Sequence, residues 1–308
     1  MTLTQDVQQV YEEALDSLIE KVKQDSYILA ALLVGSMSHD VVWSKSDIDL
    51  FLVTQETRLK AESFSLVENG VNIHACLAPR SKFRKMLEGS VQSSFMHSLL
   101  TKGRLLYSHD ETIVELFENR HRLGTRDQEI QLLRNALWIP PMLAKAEKWL
   151  YVRRDTHYCF FWIMKCVDQL ASIEALLHGE ITGREVVQQA LRLNPEFFHA
   201  IYTDLIDGEK TPETLQQALD HIHTYLYDKI HLLFAPVLAY LAESGGARSA
   251  TEINIYFTGQ MNLAGVENIC EWLADENILR KVSTPLRLTE KSRIDVEEAA
   301  YYYEGDAR

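Results

Sequence analysis

The sequence is poor in cysteine and contains no long hydrophobic run. Its 308 residues include four cysteines, and no two of them form a Cys-x-x-Cys pair. This pattern argues against a disulfide framework or a zinc site and favours reduced, buried thiols in a cytoplasmic protein. The first residues are acidic and amphipathic rather than basic and then apolar. We therefore expect neither a signal peptide nor a transmembrane span.

Basic residues are also outnumbered. The chain has 31 Lys and Arg against 44 Asp and Glu, a formal net charge of −13 at pH 7. Binding to nucleic-acid phosphates requires clustered Lys and Arg, so the charge predicts that nucleic acid is not a partner. A small nucleotide is compatible with it, because a bound metal ion can offset the phosphates. The 46% hydrophobic and 24% charged residues are ordinary for a globular protein, and the length suits two or three domains.

One stretch, residues 32–53, carries most of the chemistry. An apolar segment ends at Gly35 and Ser36, a polar loop follows, and a second apolar segment opens with Asp47 and Asp49. Side chains alternate along a strand, so both carboxylates should project from one face, close enough to share a divalent cation. Such oxygen ligands suit Mg²⁺, which completes its shell with substrate phosphates. Gly35 and Ser36 offer a backbone N–H and a hydroxyl to a phosphate.

The Gly-Ser pair, ten intervening residues and the Asp-x-Asp block resemble the signature of the DNA polymerase β-type nucleotidyltransferase superfamily. The resemblance covers roughly the first 115 residues. In layout, the remainder resembles bacterial nucleotidyltransferase-like proteins with a helical domain and a C-terminal winged helix. The resemblance implies that Asp47 and Asp49 hold metal on the phosphates of a nucleoside triphosphate. It also implies that Gly35 and Ser36 contact those phosphates.

The sequence departs from this pattern at the third carboxylate. The resemblance places that group on the segment 71–78, whose polar residues are Asn72 and His74. The nearest upstream acid, Glu68, is predicted to lie in a turn. His74 therefore takes the third place, where it could accept a proton or, when neutral, bind a metal. Three alternatives stay open: an altered one-metal enzyme, an enzyme whose third acid lies elsewhere, or a domain that binds nucleotide without turning it over.

The loop between the two segments departs as well. Small bacterial members of the superfamily have Ala-Arg-Gly where this chain has Ser38, His39 and Asp40. The change removes a phosphate-facing cation and adds a negative charge. Lys45 or Ser46 could replace the missing contact, and the alternative for Lys45 is a solvated loop side chain.

Hydrophobic periodicity and the resemblance together predict an α+β architecture with three domains. A nucleotidyltransferase-type mixed sheet with helices is expected over 1–117, a helical domain over 118–245 and a winged helix-turn-helix-like domain over 246–308. Predicted strands cover 27–34, 47–54, 71–78 and 104–108, and predicted helices cover 4–24 and 90–102. The resemblance implies that the helical domain borders the cleft and selects the acceptor, so the ligand should lie between domains.

The second half of the chain reads as long helices. The helical period over 127–154 is interrupted at Pro140-Pro141, and 155–178 is apolar nearly all round. A capping box is predicted at Thr182 to Glu185, and the Ser249 to Glu252 pattern is expected to begin another short helix. Two apolar segments around Pro285 read as a β-wing. Residues 250–303 include nine acidic and five basic residues, a balance that favours protein contacts over DNA binding.

Two further groups are weaker candidates. Arg153, Arg154, His157 and Tyr158 fall near a helix kink and could contact phosphate or acceptor, unless they are simply solvated. The tyrosines at 301–303 are expected to pack on their own domain. Self-association of the chain as a homo-oligomer through them is the alternative.

Two function hypotheses follow. The leading one is Mg²⁺-dependent transfer of a nucleoside monophosphate from a nucleoside triphosphate to a hydroxyl on a small molecule or protein. The second is a catalytically degenerate nucleotide-binding regulator that acts through protein contacts of its winged helix. A DNA-binding regulator is disfavoured by the acidic C-terminal region.

Overall fold

The structure is a computed structural model, and it describes residues 3–38, 46–89, 103–119, 125–180, 182–183 and 185–305. Contacts between Cα atoms divide the chain into two compact units, Met1–Gly124 and Thr125–Arg308. Each unit has its own architecture. Among the described residues, no helix is long and apolar enough to cross a membrane.

The first unit is built on a five-stranded mixed sheet. Its strands are Ile28–Val34 (β1), Ile48–Thr54 (β2), Ser63–Glu68 (β3), Val71–Pro79 (β4) and Arg104–Ser108 (β5). They lie in the order β3-β4-β2-β1-β5. The β2–β4 pair is parallel, and the other neighbouring pairs are antiparallel. Parallel pairing sets the start of β2 beside β4 and so positions the candidate site.

Helices cover both faces of this sheet. They are Leu3–Val22 (α1), Arg80–Gly89 (α2) and Glu111–Glu118 (α3). The core under α1 contains Leu33, Leu50 and Ile73, and the core on the opposite face contains Leu32, Phe51 and Phe83. Alternate residues of β1, β2 and β4 thus enter different cores, as the two-residue period of a strand requires.

Four of the five strands match the predicted segments within one residue at each end. The strand β3 was not predicted, and the placement of Glu68 in a turn is wrong because Glu68 is the last residue of that strand. The predicted helix over 90–102 lies outside the described residues.

Seven helical segments form most of the second unit up to residue 243. They are Thr125–Ala136 (α4), Ile139–Glu147 (α5), the π-helical turn Lys148–Arg153, Thr156–Leu177 (α6), Val186–Leu193 (α7), Pro212–Asp228 (α8) and Ala235–Glu243 (α9). Short helical turns at Pro195–Phe198, His199–Thr203, Asp204–Asp207 and Ile230–Leu233 connect them. The interruption at Pro140-Pro141 is confirmed, since both prolines lie in the first turn of α5, where proline is tolerated.

One predicted cap in this region is wrong. The helix α7 begins at Val186 with Glu185 as its N-cap, and no side chain caps it, so Thr182 and Glu185 do not form a capping box. The box needs the helix to start right after its Ser or Thr. Here the first helical residue is the buried Val186, which indicates that packing of the apolar face sets the start.

The C-terminal region adds two helices and a small sheet. These are Arg248–Ser249 (β6), Ala250–Met261 (α10), Val266–Asp275 (α11), Arg280–Leu286 (β7) and Val296–Tyr302 (β8), with the strands in the order β6-β8-β7. The helix expected to begin at Ser249 to Glu252 is confirmed, and these two residues form a capping box. The prediction of two strands around Pro285 is wrong, because Pro285 lies inside β7 and the partner strand is β8.

One hydrophobic core runs through the whole second unit. It includes Leu170 of α6 and Phe257 of α10, and also Tyr301 of β8. The hydroxyl of Tyr301 donates to Glu271 at 2.6 Å, so this tyrosine packs on its own unit as predicted. The division of residues 118–308 into two domains stays a prediction.

Candidate functional site

The sharp turn after β1 brings Gly35 against the carboxylate of Asp49. Gly35 has a φ of 74°, a left-handed conformation that side chains disfavour. A Cβ atom built on Gly35 would lie 2.2 Å from Oδ2 of Asp49. The antiparallel register explains this proximity, since Val34 pairs with Asp49. Glycine is therefore required here both by the backbone and by the space that the carboxylate fills.

His74 lies beside Asp49 on the neighbouring strand. The parallel register of β2 and β4 pairs the two residues, and Nδ1 of His74 is 3.9 Å from Oδ1 of Asp49. Both side chains are accessible, with exposed fractions of 52% and 41% respectively. The strand β3 continues the row with Ser65, which pairs with His74. A carboxylate, an imidazole and a hydroxyl thus lie side by side on three adjacent strands, on one face of the sheet.

Asp47 lies just before β2 rather than inside it. The strand begins at Ile48, and Asp47 is exposed to solvent. The preceding residue is anchored, because the hydroxyl of Tyr11 on α1 donates to the carbonyl oxygen of Ser46 at 2.6 Å. This contact fixes the backbone from which Asp47 projects, one residue short of the regular strand.

The Gly-Ser turn continues into a short 3₁₀ helix. Ser36–Ser38 forms this helix, and both the amide and the hydroxyl of Ser38 donate to the carbonyl oxygen of Gly35, at 3.2 and 2.7 Å. The bonds hold the backbone in a tight turn right after β1. Lys45, with His39 and Asp40, lies outside the described residues.

Glu68 does not belong to the site. Successive residues of β3 face opposite sides of the sheet, so Glu68 points away from the side that carries Ser65 and His74. Its carboxylate accepts hydrogen bonds from Nζ of Lys21 at 2.6 and 2.7 Å and from the hydroxyl of Ser17 at 2.6 Å. Both partners lie on α1. The hydrogen bond from Lys21 is the main cause that lowers the pKa of Glu68.

Cys76 was not among the predicted site residues. It lies two residues beyond His74, pairs with Phe51, and is half-buried. Burial raises the pKa of its thiol, and the negative charge of Asp49 raises it further. The negative charge of Asp49 thus acts on the thiol of Cys76 on the neighbouring strand. In the sequence Cys76 reads as one more apolar residue of the strand.

The donor groups fit one divalent cation better than two. Within the described part of the chain, no three His, Cys, Asp or Glu side chains converge as a metal cluster. Asp47 and Asp49 supply carboxylate oxygens, the kind of ligand that Mg²⁺ takes together with phosphates. The residue paired with Asp49 on β4 is His74, and β4 carries no acidic residue, so this strand supplies no carboxylate for a second ion.

The candidates in the helical region are not arranged as one helix face. Arg153 ends the π-helical turn, and Arg154 is left-handed with a φ of 54°. Asp155 then caps α6 by accepting from the amide of Tyr158. The helix is therefore broken between Arg153 and His157, in agreement with the predicted kink, and the two side chains do not lie on one continuous helix.

Comparisons with known proteins agree with this architecture. The family described as "Polymerase beta, Nucleotidyltransferase" matches residues 16–112. Among solved structures, a nucleotidyltransferase-like protein from Exiguobacterium sibiricum 255-15 is similar, with a TM-score of 0.65 and 13% sequence identity. The similarity covers 96% of this chain and 99% of that chain, and it shows a shared fold. The comparison with curated proteins gives no match.

These findings confirm both the resemblance and the α+β fold class. Residues 16–112 match the polymerase β nucleotidyltransferase family, and the chain as a whole shares its fold with the similar solved structure. That region contains the turn at Gly35 and both aspartates, together with β4 and its His74.

Proposed function

We propose that the protein transfers a nucleoside monophosphate from a nucleoside triphosphate to an acceptor hydroxyl, with Mg²⁺ as cofactor. The acceptor would belong to a small molecule or a protein. One observation carries the proposal: the carboxylate of Asp49 fills the space left by Gly35 at the end of β1, inside the domain that matches the nucleotidyltransferase family.

The residues of this site have separate roles in the proposal. Asp47 and Asp49 would hold one Mg²⁺ on the phosphates of the nucleotide. When bound, the ion would offset phosphate charge and so stabilise the charge that develops during transfer. The turn at Gly35 and Ser36 would present backbone N–H groups to a phosphate, a common use of such turns. Ser46 and Lys45 would add contacts next to Asp47.

His74 would act at the acceptor. Its imidazole lies 3.9 Å from Asp49, and half of its surface is accessible. A neutral histidine can accept a proton from a hydroxyl near neutral pH. It would therefore take over the deprotonation for which the resembled family uses a carboxylate. The site would also carry one negative charge fewer, which weakens binding of a second cation.

Release of pyrophosphate tests the transfer. The full chain would be incubated with Mg²⁺, each nucleoside triphosphate and a fractionated extract of small molecules and proteins. We expect pyrophosphate and a product that carries the labelled α-phosphate, both lost in the Asp49→Asn variant. The Glu111→Gln variant is the matched control, because it removes one exposed carboxylate from the same unit. Product formation that is equal in all three proteins would contradict the proposal.

The second candidate is a nucleotide-binding regulator without turnover. The presence of His74 instead of an acid beside Asp49 favours it. This regulator would bind Mg²⁺ and nucleotide at the same site, release no pyrophosphate, and signal through protein contacts of its winged-helix-like C-terminal region. Binding without pyrophosphate in every extract fraction would support the regulator over the enzyme.

We place this function in the cytoplasm. All four cysteines are free thiols, and Cys159, Cys166 and Cys270 are buried. Free thiols are typical of a reducing compartment.

A further inference from the structure

The helical unit carries an exposed aromatic surface at the junction of α5 and α6. Four rings follow one another, from Trp149 to Tyr158, Phe161 and Trp162, with centroid separations of 4.4, 5.4 and 5.8 Å. Tyr158 and Phe161 are 43% and 44% exposed. Trp149 and Trp162 are partly buried against the core. Large aromatic side chains normally bury their surface, so the two neighbouring exposed rings with partly exposed indoles beside them indicate a binding surface.

Basic residues are concentrated in the segments that carry these rings, and two of them contact the rings. Between residues 138 and 167 the chain has five basic side chains, Lys145, Lys148, Arg153, Arg154 and Lys165, against two acidic ones, Glu147 and Asp155. Nζ of Lys145 lies 4.4 Å from the ring centroid of Trp162, and Nζ of Lys165 lies 4.9 Å from that of Phe161. The surface is thus a local exception to the net charge of −13.

Carboxylates of the described part of the chain do not neutralise the positive charge of this surface. None of the five cations forms an ion pair with a carboxylate in the described part of the chain, although other basic residues, such as Lys21, Arg80 and Lys281, do. The two nearby acids are engaged elsewhere: Glu147 contacts His223 at 2.8 Å, and Asp155 caps α6. Unpaired cations in an acidic protein favour an anionic ligand.

The backbone presents the two arginines at a corner. The π-helical turn Lys148–Arg153 ends in the left-handed Arg154, and the amide of Asp155 donates to the carbonyl oxygen of Trp149 at 3.0 Å. Single π-helical turns occur frequently at functional sites. A left-handed residue that is not glycine costs energy, which the surrounding structure must offset.

We propose that this surface, formed by Lys145, Trp149, Arg153, Tyr158, Phe161 and Lys165, binds single-stranded nucleic acid. Rows of aromatic rings offer stacking platforms to successive bases, and cations beside them track the phosphates. A globular acidic protein would repel such a ligand on average, so binding has to be local to the aromatic surface. The proposal does not depend on the nucleotidyltransferase site, because no residue of the first unit takes part.

Fluorescence anisotropy tests the proposal, with a short fluorescein-labelled single-stranded RNA and the full chain at low salt. We expect saturable binding that weakens with salt, with a logarithmic slope of about −0.7 for each phosphate contacted. The Tyr158→Ala/Phe161→Ala variant should bind about tenfold more weakly or worse, since each stacked base contributes substantially. The Lys145→Glu/Lys165→Glu variant should bind more weakly and show a smaller salt slope.

Matched controls separate local from general effects. Tyr227→Ala removes an exposed tyrosine of α8, and Lys291→Glu/Arg293→Glu reverses two exposed cations between β7 and β8. Both controls should keep wild-type affinity, as should Asp49→Asn, which separates this proposal from the function of the first unit. Thermal melting verifies that each variant is folded.

Three outcomes would overturn the proposal. One is the lack of binding by the wild type to RNA and to single-stranded DNA. Another is binding that the two surface variants and their controls share equally. The third is equal competition by heparin and by an acidic polypeptide at matched charge, because it would show that charge alone is recognised. A dimer that the surface variants abolish, without any oligonucleotide binding, would assign the surface to a second copy of the chain.

Discussion

Gly35 lies so close to the carboxylate of Asp49 that a Cβ atom added to Gly35 would lie 2.2 Å from the oxygen Oδ2. The turn after β1 limits the position of the Asp49 carboxylate on one side of β2. On the other side of β2, Asp49 is paired in register with His74 of β4. The proposed function depends on this position, because a metal-bound phosphate needs the carboxylate and the turn together.

Replacing Gly35 by alanine should therefore abolish binding of Mg²⁺ and nucleotide. The methyl group would displace the Asp49 carboxylate, and the left-handed backbone would cost roughly 1–2 kcal/mol of stability. Gly70→Ala is the matched control, because Gly70 also has a positive φ of 79° but nothing within 4 Å of the added Cβ. It should lose similar stability in chemical denaturation and keep the calorimetric binding of nucleotide. Equal nucleotide binding by both variants would contradict the role of the contact.

Replacing His74 by glutamate should strengthen the binding of Mg²⁺ to the site. The change places a carboxylate beside Asp49 and restores one negative charge to the site. We expect tighter Mg²⁺ binding by calorimetry than in the wild type, whereas His74→Ala should not show this gain. Asn72→Glu is the control, because residue 72 is exposed, lies on the same strand and faces the same side. A gain of the same size in Asn72→Glu would mean that net charge, rather than position, controls the metal.

Replacing Glu68 by glutamine should change stability and leave ligand binding intact. The pKa of Glu68 is lowered from its ordinary value of 4.5, chiefly by the hydrogen bond from Lys21. A lowered pKa stabilises the fold above the ordinary value, and this stabilisation is lost as the pH falls through the folded-state value. Denaturation midpoints at pH 7 and near pH 4 should therefore differ less in Glu68→Gln than in the wild type. Loss of nucleotide binding in this variant would show that Glu68 serves the site after all.

His223 predicts a pH dependence of the opposite sign in the second unit. The hydrogen bond with Glu147 raises the pKa of His223 above its ordinary value of 6.5. The contact therefore stabilises the fold fully below pH 6.5 and less as the pH rises through the raised pKa. The effect should stay below about 1 kcal/mol, because both side chains are about one third exposed. Denaturation at pH 6 and pH 8 measures it, and His223→Gln should reduce the difference. An unchanged difference in the variant would assign the pH dependence to another group.

The sequence predicted the strands of the first unit that contribute most of the apolar residues to its two cores. The strands β1, β2, β4 and β5 are largely buried or half-buried, and their apolar runs are visible without the structure. The strand β3 is short, and exposed residues alternate with less exposed ones along it: Ser63, Ser65 and Val67 are exposed. Such an edge strand is defined by its pairing with β4, which the sequence does not show. The position of Ser65, and the face of Glu68, could therefore not be predicted.

The candidate site also contains features that the sequence predicted and features that it did not. The Asp-x-Asp spacing and the turn at Gly35 are local, and a local pattern revealed them. The distance between His74 and Asp49 depends on the parallel register of two strands that are separated by β3 in the chain. The aromatic surface of the second unit depends on the packing of α5 against α6 and on a π-helical turn that has no clear sequence signal. Packing of distant elements decided the features that the sequence missed.

Calorimetric titration of each nucleoside triphosphate, with and without Mg²⁺, tests the central claim most directly. The proteins would be the wild type, Asp47→Asn/Asp49→Asn, and Glu111→Gln as the charge-matched control for one carboxylate. The account predicts metal-dependent binding by the wild type and the control, and loss of that binding in the double variant. Absence of nucleotide binding by the wild type at any metal concentration would contradict both the transferase and the regulator.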